Sequence, residues 1–316
     1  MVYLPLIFKR IISATITLLI VSALIYGFLE ILPGDVATRM LGRSATPETL
    51  EMLRQELGLN EPAIKRYFLW LFNIIQGDFG IALTSKRPIT EILEPKIINT
   101  LILSGCAFII YLPLTFITAL VQAYNKNKKT DVSLSIITLI ILSLPDFIIG
   151  TIMIIVFVVL FPILPAISLV GEYSDFWEWV KALIMPAITL ALVMSVYAVR
   201  MLRDNLIEVL DSEYIFMARL KGLSKTKVLI RHALPNAIIP TLNVTALNLG
   251  FLIGGVVIVE KIFTFPGFGN LLIDSIKFRD LPLVEATILI ASAFYIFVNL
   301  LTDILSIIFN PRLRNQ

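Results

Sequence analysis

Six apolar tracts constrain this chain more than any other feature of its sequence. Five of them run for about 20 or more mostly apolar residues and the sixth is less uniform, so each is long enough to cross a hydrocarbon core about 30 Å thick. The tracts lie near residues 11–31, 100–123, 132–160, 182–199, 238–259 and 283–308. The sequence therefore predicts an all-α membrane protein with six transmembrane helices.

Composition excludes an ordinary soluble enzyme. Of the 316 residues, 58% are hydrophobic and 16% are charged, and the mean hydropathy is +0.90. With one cysteine, Cys106, and one histidine, His232, neither a disulfide framework nor a bound metal ion is expected. The net charge of +3 is too small to indicate nucleic acid binding. We expect no catalytic residue, metal site or cofactor in this chain.

The positions of the basic residues predict the orientation, because positive charge is enriched in cytoplasmic loops. An N-terminus in the cytoplasm places most of the basic residues of the short connections inside: Lys9, Arg10, three lysines around Lys128, seven residues from Arg200 to Arg231, Arg312 and Arg314. Both termini are therefore expected in the cytoplasm. The predicted organisation is a tail and first helix (1–32), an outer segment (33–98), a membrane core (99–308) and a tail (309–316).

The outer segment is predicted to form short helices, since its eight basic and eight acidic residues balance. Thr46 can cap a first helix that begins at Pro47 and ends at Gly58, with a stripe of Leu50, Leu53 and Leu57. A second helix over 64–75 has apolar residues and Trp70 at helical spacing. It suits a helix at the membrane interface, but packing on neighbouring helices is the favoured explanation of the pattern.

The stretch 211–236 has the pattern of two short helices that meet at a glycine. Ser212 or Glu213 can cap the first helix, which Gly222 can end in the left-handed conformation. Ser224 can cap the second helix, which is expected to stop before Pro235.

Three interpretations of this unit stay open on the residues alone. Its basic exterior and its packing residues fit a plug for the groove of another subunit; the packing residues are Tyr214, Ala218, Val228 and Ile230. A helix-turn-helix for DNA has the same length, but membrane tethering on both sides argues against it. A solvated basic loop would obey the positive-inside rule.

Charged residues within the apolar tracts could mark a transport pathway. They are Asp146, Glu285 and Asp303, and each could equally be a helix-end carboxylate, above all Asp146, which follows a helix break at Pro145. Gly250 and Gly254 would permit close approach of another helix. A secondary transporter also needs intramembrane charges, but the two halves show no convincing inverted repeat.

The energy source must be a partner, because no glycine is followed by lysine and a phosphate-binding G-x-x-x-x-G-K-[ST] loop is therefore excluded. Gly267-Phe-Gly269 lacks the context of a nucleotide fingerprint and is better explained as a tight turn. His232 has no matching nucleophile and is expected to be structural.

The stretch 211–236 resembles the coupling motif of importer-type ATP-binding cassette permeases. The matching residues are Tyr214, Ala218, Arg219, Lys221, Gly222 and Leu223, continued by His-Ala-Leu-Pro-Asn at 232–236. The family's Glu-Ala-Ala signature is degraded to Phe216 and Met217 before Ala218, as is usual in the peptide and nickel branch. Further motifs of that branch lie at 8–10, 32–35, 57–59, 77–80, 99–101, 259–263, 265–269, 279–280, Asn299, Asp303 and 310–312.

This resemblance implies a type I importer permease in a cell inner membrane of a bacterium or archaeon, working by alternating access. It implies a second homologous permease, two ATPases that hold ATP and Mg²⁺, and an extracytoplasmic substrate-binding protein. The implied coupling segment is 204–236, with Glu213, Tyr214, Ala218, Arg219, Lys221, Gly222 and Leu223. Candidates for the pathway or outer loop are Glu260, Phe265, Pro266, Gly267 and Asp280.

The family allows peptides, nickel chelates or another small solute as cargo. Bare nickel would need imidazole, thiolate or grouped carboxylate ligands, and the single histidine and single cysteine do not provide them. Di- or oligopeptides are therefore favoured.

Overall fold

The computed structural model describes residues 3–31, 36–42, 46–56, 60–171 and 174–309. Within these ranges the chain is helical apart from turns, loops and one isolated bridge between Ile81 and Pro88. The helices are α1 (Tyr3–Ile31), α2 (Val36–Leu41), α3 (Pro47–Glu56), α4 (Ala63–Ile75), α5 (Ile89–Tyr124), α6 (Lys129–Ser143), α7 (Asp146–Ile154), α8 (Phe176–Leu210), α9 (Glu213–Leu220), α10 (Lys225–Val228), α11 (Leu234–Ile262), α12 (Phe268–Lys277) and α13 (Leu281–Phe309).

Four of the described helices are long and apolar enough to cross a membrane, and two bent pairs bring the number to six when each pair is counted as one span. The four are Phe8–Phe28 within α1, all of α5, all of α8, and Leu281–Leu301 within α13. The pairs are Lys129–Ser143 with Asp146–Leu160, and Lys225–Gly250 with Gly255–Ile262. The all-helical fold and the six apolar tracts of the prediction are confirmed.

The third tract is not one straight helix. Leu144 is extended, as expected of the residue before Pro145, and α6 and the following helix meet at 107°. The predicted break at Pro145 is confirmed, and the third span is a bent pair of helices. Asp146 begins α7, so it is a helix-end carboxylate. A wider π-type turn extends α7 through Ile155–Leu160.

Helix α5 begins at Ile89, well before the predicted start at residue 100. Its first turns contain Glu91, Glu94 and Lys96, which a search for apolar runs cannot recognise as part of a span. The predicted limit between residues 98 and 99 falls inside this helix. The limits of the four predicted segments stay a prediction.

The chain divides into two compact units. The first contains Met1–Asn99 with Asn270–Phe297, and the second contains Thr100–Gly269 with Val298–Gln316. In the first unit α3 begins at Pro47, and the Thr49 amide donates to Thr46 Oγ1 over 3.3 Å, so the predicted cap is confirmed. Leu57 and Gly58, expected to end this helix, lie outside the described residues, as do the motifs at 32–35 and 310–312.

Helix α8 is the centre of the second unit. It begins with a reciprocal capping box, in which the Glu178 amide donates to Asp175 Oδ1 and the Asp175 amide donates to Glu178 Oε2. Two apolar clusters pack along it. One surrounds Met185, Leu190 and Met194 and includes parts of α5 and α11. The other surrounds Leu202, Leu206 and Leu210 and includes α9 and α10.

Candidate functional site

The first candidate region is the Gly222 corner, defined as residues 213–228 where α9 meets α10. Gly222 has φ +78°, and its amide donates to the Arg219 carbonyl over 2.9 Å. This is the left-handed helix end that the sequence predicted. None of the described atoms lies within 4 Å of the position that a Cβ on Gly222 would occupy. The glycine is therefore needed for its backbone conformation and not for space.

The helix starts of this region differ from the prediction in detail. Ser212 and Ser224 occupy the positions before α9 and α10, but within residues 174–309 neither hydroxyl accepts a capping bond. Ser212 Oγ instead donates backward to the Val209 carbonyl over 2.5 Å.

The prediction that the second helix stops before Pro235 is wrong. The chain passes from α10 through a π-type turn, Leu229–Ala233, directly into α11. Pro235 lies where α11 begins, and the wider π-type turn before it accommodates a residue that has no amide hydrogen to donate. The corner is therefore continuous with a long helix of the second unit.

One face of the corner belongs to the core of the second unit. Ile215 and Ala218 of α9 and Val228 of α10 are buried, together with Leu229 and Ala233 of the following turn. They pack with α8 and with the end of α5; the partners are Val199, Leu202, Leu206, Leu210, Ala119 and Ala123. A displacement of α9 must therefore displace the helices that share this cluster.

Polar contacts attach the corner to neighbouring helices of the same chain. Tyr214 Oη donates to the His232 carbonyl over 3.3 Å and accepts from Asn236 Nδ2 over 2.9 Å. Lys225 Nζ donates to the Tyr124 carbonyl at the end of α5 and lies 4.3 Å from the centre of the Tyr124 ring. Tyr214 thus joins α9 to the start of α11, and Lys225 joins α10 to α5.

Two further bonds complete this attachment. Lys126 Nζ and Asp211 Oδ2 form an ion pair at 2.8 Å, and Arg219 donates to the Leu210 carbonyl over 3.3 Å. His232 contributes its main-chain carbonyl to these contacts, and a structural role for its side chain stays a prediction.

The opposite face of the corner is exposed and apolar. Phe216, Met217 and Leu220 are 62%, 54% and 65% exposed, and α9, α10 and the turn between them also carry the exposed basic residues Arg219, Lys221, Lys225 and Lys227. Tyr214 and Ile230, which were expected to pack, are about half-exposed, and Glu213 is exposed. Leu223 is half-buried. Large apolar side chains grouped on one exposed face are typical of a protein interface.

The second candidate region is the Glu260 cluster, defined as Thr100, Glu260 and residues 263–269. Glu260 is fully buried, and Thr100 Oγ1 donates to its Oε1 over 2.5 Å. The same threonine oxygen accepts from the Phe268 amide over 2.8 Å, which fixes the start of α12. The Glu260 carbonyl accepts from the Phe265 amide over 2.8 Å. Glu260 therefore binds the following loop directly through its backbone carbonyl, and its side chain is linked to the end of that loop through Thr100.

Two glycines of this cluster are required for space. A Cβ on Gly267 would overlap the carboxylate of Glu260, and a Cβ on Gly269 would lie 2.6 Å from Val257 Cα. The tight turn lies just before the predicted one: the Gly267 amide donates to the Phe265 carbonyl over 2.8 Å, whereas Phe268 and Gly269 already belong to α12. Phe265 is fully buried and Pro266 is half-buried.

Asp280 lies in the first unit and also has a structural position. Its Oδ2 accepts from both the amide and the hydroxyl of Thr84, over 2.9 and 2.8 Å. Its Oδ1 accepts from the Leu283 amide over 3.4 Å, so it caps α13. A contribution of Glu260, Phe265, Pro266, Gly267 and Asp280 to a transport pathway stays a prediction.

Sequence reasoning missed several partners of the candidate residues. Thr100 was noted only as part of a motif, and Thr84 was not noted, because hydroxyls carry no distinctive pattern. It also missed a buried ion pair in which Arg203 of α8 binds Asp131 of α6 with two bonds of 2.7 and 2.8 Å. An acidic residue at the start of an apolar tract, opposite an arginine near the end of another, is the signal that could have found it.

The intramembrane residues fall in different environments. Glu285 is half-buried and Gly250 is buried, while the side chains at 254 and 303 lie outside those that the structure describes.

Comparisons with known proteins agree with this architecture. Residues 95–315 match the family described as binding-protein-dependent transport system inner membrane component. Residues 3–89 match the N-terminal part of the same membrane component. A binding-protein-dependent system is a different class from the secondary transporter considered above.

Two relatives are similar over almost their whole length. One is "Putative peptide transport system permease protein" of Brucella abortus (strain 2308), 36% identical over 309 residues that cover 98% of each chain. The other is the glutathione transport system permease protein of Escherichia coli (strain K12), 34% identical over 306 residues that cover 97% of each chain. The chain therefore belongs to the family of binding-protein-dependent transport system inner membrane components: it is a multi-pass inner-membrane permease of an ATP-binding cassette importer, a transport subunit that works with ATPase and substrate-binding partners.

Proposed function

We propose that this permease imports di- or oligopeptides by alternating access, pairs with a second homologous permease, and receives the movement of two ATPase subunits through the Gly222 corner. The observation that carries the proposal is that α9 has one buried face and one exposed face. Ile215 and Ala218 are buried in the cluster shared with α8 and α5, while Phe216 and Leu220 are exposed on the other side. A segment with one face in the core and one in solvent can transmit a displacement from a partner to the helices.

The surface also has the chemistry of a partner site. Phe216, Met217 and Leu220 provide apolar anchors, and the exposed basic residues of the same corner give it a positive charge. The implied contact residues are Glu213, Tyr214, Ala218, Arg219, Lys221, Gly222 and Leu223. Of these, Tyr214 and Ala218 support the corner from within, whereas Lys221 is exposed to a partner.

Photo-crosslinking tests this contact. The photoreactive amino acid benzoylphenylalanine at Phe216 should crosslink to an ATPase subunit of the assembled complex. The same substitution at Phe161 is the control, because Phe161 is equally exposed, at 62%, and lies outside the corner. Crosslinking from position 161 but not from 216 would show that the corner is not the ATPase contact.

A peptide cargo is supported by the names of the relatives, a peptide and a glutathione transport permease. Vesicles that contain the full complex, with the cognate binding protein on one side, should transport labelled peptide when ATP is supplied on the side where the ATPases lie. Uptake of a nickel chelate without uptake of peptide would replace this cargo with the alternative that the family allows.

Cytoplasmic termini are proposed from the charge distribution, and the exposure of three polar positions makes a direct test possible. In a Cys106→Ser background, single cysteines at Lys128 and Ser224 should resist an impermeant thiol reagent in intact cells, and one at Glu61 should react. All three positions are exposed, so a lack of labelling cannot result from burial within this chain. Labelling of position 224 from outside would show that the proposed orientation is wrong.

A further inference from the structure

Helix α4 (Ala63–Ile75) is attached to α1 by one face only. Tyr67 packs edge-to-face against Tyr26 and Trp70 packs against it at a tilt, with ring centres 5.4 and 5.7 Å from that of Tyr26. The hydroxyls of Tyr67 and Ser22 share a hydrogen bond of 2.8 Å, and Arg66 forms an ion pair with Glu30. These contacts fix both the position and the rotation of α4 on α1.

The contact with Ser22 sets the depth of α4. The apolar span of α1 runs from Phe8 to Phe28, and Ser22 lies about 9 Å before its end at the helical rise per residue. The contacts of α4 therefore extend from Ser22, in the outer third of the span, to Glu30, just beyond its end, which is the level of the outer hydrocarbon and the headgroups. Tyr26, Tyr67 and Trp70 are the residue types that concentrate at this level.

A second face of α4 is an exposed apolar stripe. Ile64, Phe68, Phe72 and Ile75 recur at intervals of three and four residues and are 60–76% exposed. None of the 13 residues of α4, all within the described range 60–171, is buried. The α1 surface next to α4 is of the same kind, since Ile12 and Leu19, on the same helix face as Ser22 and Tyr26, are 42% and 46% exposed on a membrane span. The stripe continues the lipid-facing surface of α1.

The third face of α4 is mostly polar. Lys65, Asn73 and Gln76 are exposed there, with Leu69 the one apolar residue among them. The three faces thus meet a protein helix, an apolar medium and water, which is the arrangement of a helix lying in the plane of a membrane interface.

We propose that α4 lies in the plane of the bilayer at the C-terminal end of α1, with its apolar stripe inserted among the lipid acyl chains. The lipid surface is the partner of this stripe, and α4 anchors the chain between α1 and α5 to the membrane. The arrangement follows from the depth of Ser22 and the continuity with α1, so it does not depend on which side of the membrane that end of α1 faces.

Spin labels on single cysteines test this arrangement in the assembled complex. In a Cys106→Ser background, nitroxides are attached in turn at Phe68, Phe72 and Asn73, and the complex is reconstituted in vesicles of phosphatidylethanolamine and phosphatidylglycerol. Collisions with oxygen, which partitions into lipid, are compared with collisions with a water-soluble nickel chelate. Position 73 is the matched control, because it is on the same helix and exposed toward the polar face.

The expected result is a ratio of oxygen to nickel collisions that is severalfold higher at 68 and 72 than at 73. Two outcomes would overturn the proposal. If positions 68 and 72 collide freely with the nickel chelate, the stripe faces water. If their spectra are immobilised and both reagents are excluded, the stripe is covered by another protein subunit and not by lipid.

Discussion

The Gly222 corner and the Glu260 cluster both carry strong motifs around a glycine, yet the two glycines are required for different reasons. Gly222 has φ +78° and open space where a Cβ would be. Gly267 has an ordinary φ, but a Cβ there would overlap the Glu260 carboxylate. The corner exposes Phe216 and Leu220, whereas the cluster buries Phe263 and Phe265 completely. Motifs of equal strength in a sequence can therefore mark a surface for a partner or an internal support.

This difference predicts that substitutions in one region reduce stability, whereas substitutions in the other reduce the coupling of ATP hydrolysis to transport. Changes in the Glu260 cluster should reduce the free energy of unfolding, because they disturb buried contacts. Changes in the exposed part of the corner should leave stability nearly unchanged and reduce transport. The following variants test that separation.

The largest loss of stability is expected for Gly267→Val. The added side chain must displace a buried carboxylate, so the free energy of unfolding should fall by about 3 kcal/mol. Thermal unfolding of the purified complex in detergent measures this loss. Gly171→Val is the control, since the space around Gly171 is open and its φ is not positive. Equal stability of the two variants would refute the packing role of Gly267.

The bond between Thr100 and Glu260 should contribute about 1.5 kcal/mol, as expected of a hydrogen bond to a charged group. A double-mutant cycle with Thr100→Val and Glu260→Gln measures this contribution as a coupling energy. Because Thr100 also accepts from the Phe268 amide, Thr100→Val alone should loosen the start of α12. Additive effects of the two substitutions would mean that the bond is not important in solution.

Gly222→Val is expected to cost about 1–2 kcal/mol, since the left-handed conformation is unfavourable for a residue with a Cβ. The chain should still fold and insert, but ATP-driven uptake should fall sharply because α9 and α10 meet at a distorted angle. Gly222→Asn is the matched control, because asparagine tolerates this conformation. Wild-type uptake by the valine variant in vesicles would show that the corner does not couple ATP hydrolysis to transport.

Phe216→Ser should have the smallest effect on stability, within about 0.5 kcal/mol of wild type, because the side chain is mostly exposed. Its effect should appear as weaker stimulation of ATP hydrolysis by the loaded binding protein. Phe161→Ser, at the same exposure of 62%, should leave that stimulation unchanged. A large loss of stability in Phe216→Ser would place this residue in the core and not at a partner surface.

The spans and the corner were predictable because they depend on local pattern. Apolar runs of sufficient length locate the spans, Pro145 marks the break between α6 and α7, and Gly222 marks the end of α9. Each of these signals acts through the backbone of the residue itself or of its immediate neighbours.

The remaining features depend on partners that are distant in sequence. The angle of 107° between α6 and α7 is not contained in the apolar run. It is consistent with the packing of α7, where a Cβ on Gly150 would lie 3.4 Å from Ile262 and Phe263. The bond from Thr100 to Glu260 joins residues 160 positions apart. The turn before Pro235 was mispredicted because a π-type turn lets the helix continue where a proline usually ends it.

Helix α5 gives the two regions a common mechanical element. It is one helix from Ile89 to Tyr124. Thr100 on this helix binds Glu260, and the Tyr124 carbonyl accepts from Lys225 of the corner. The axis between Thr100 and Tyr124 is about 36 Å long, which exceeds the thickness of the hydrocarbon core. Because an α-helix resists stretching, we expect a displacement at either contact to tilt or shift α5 as a whole and not to change its length.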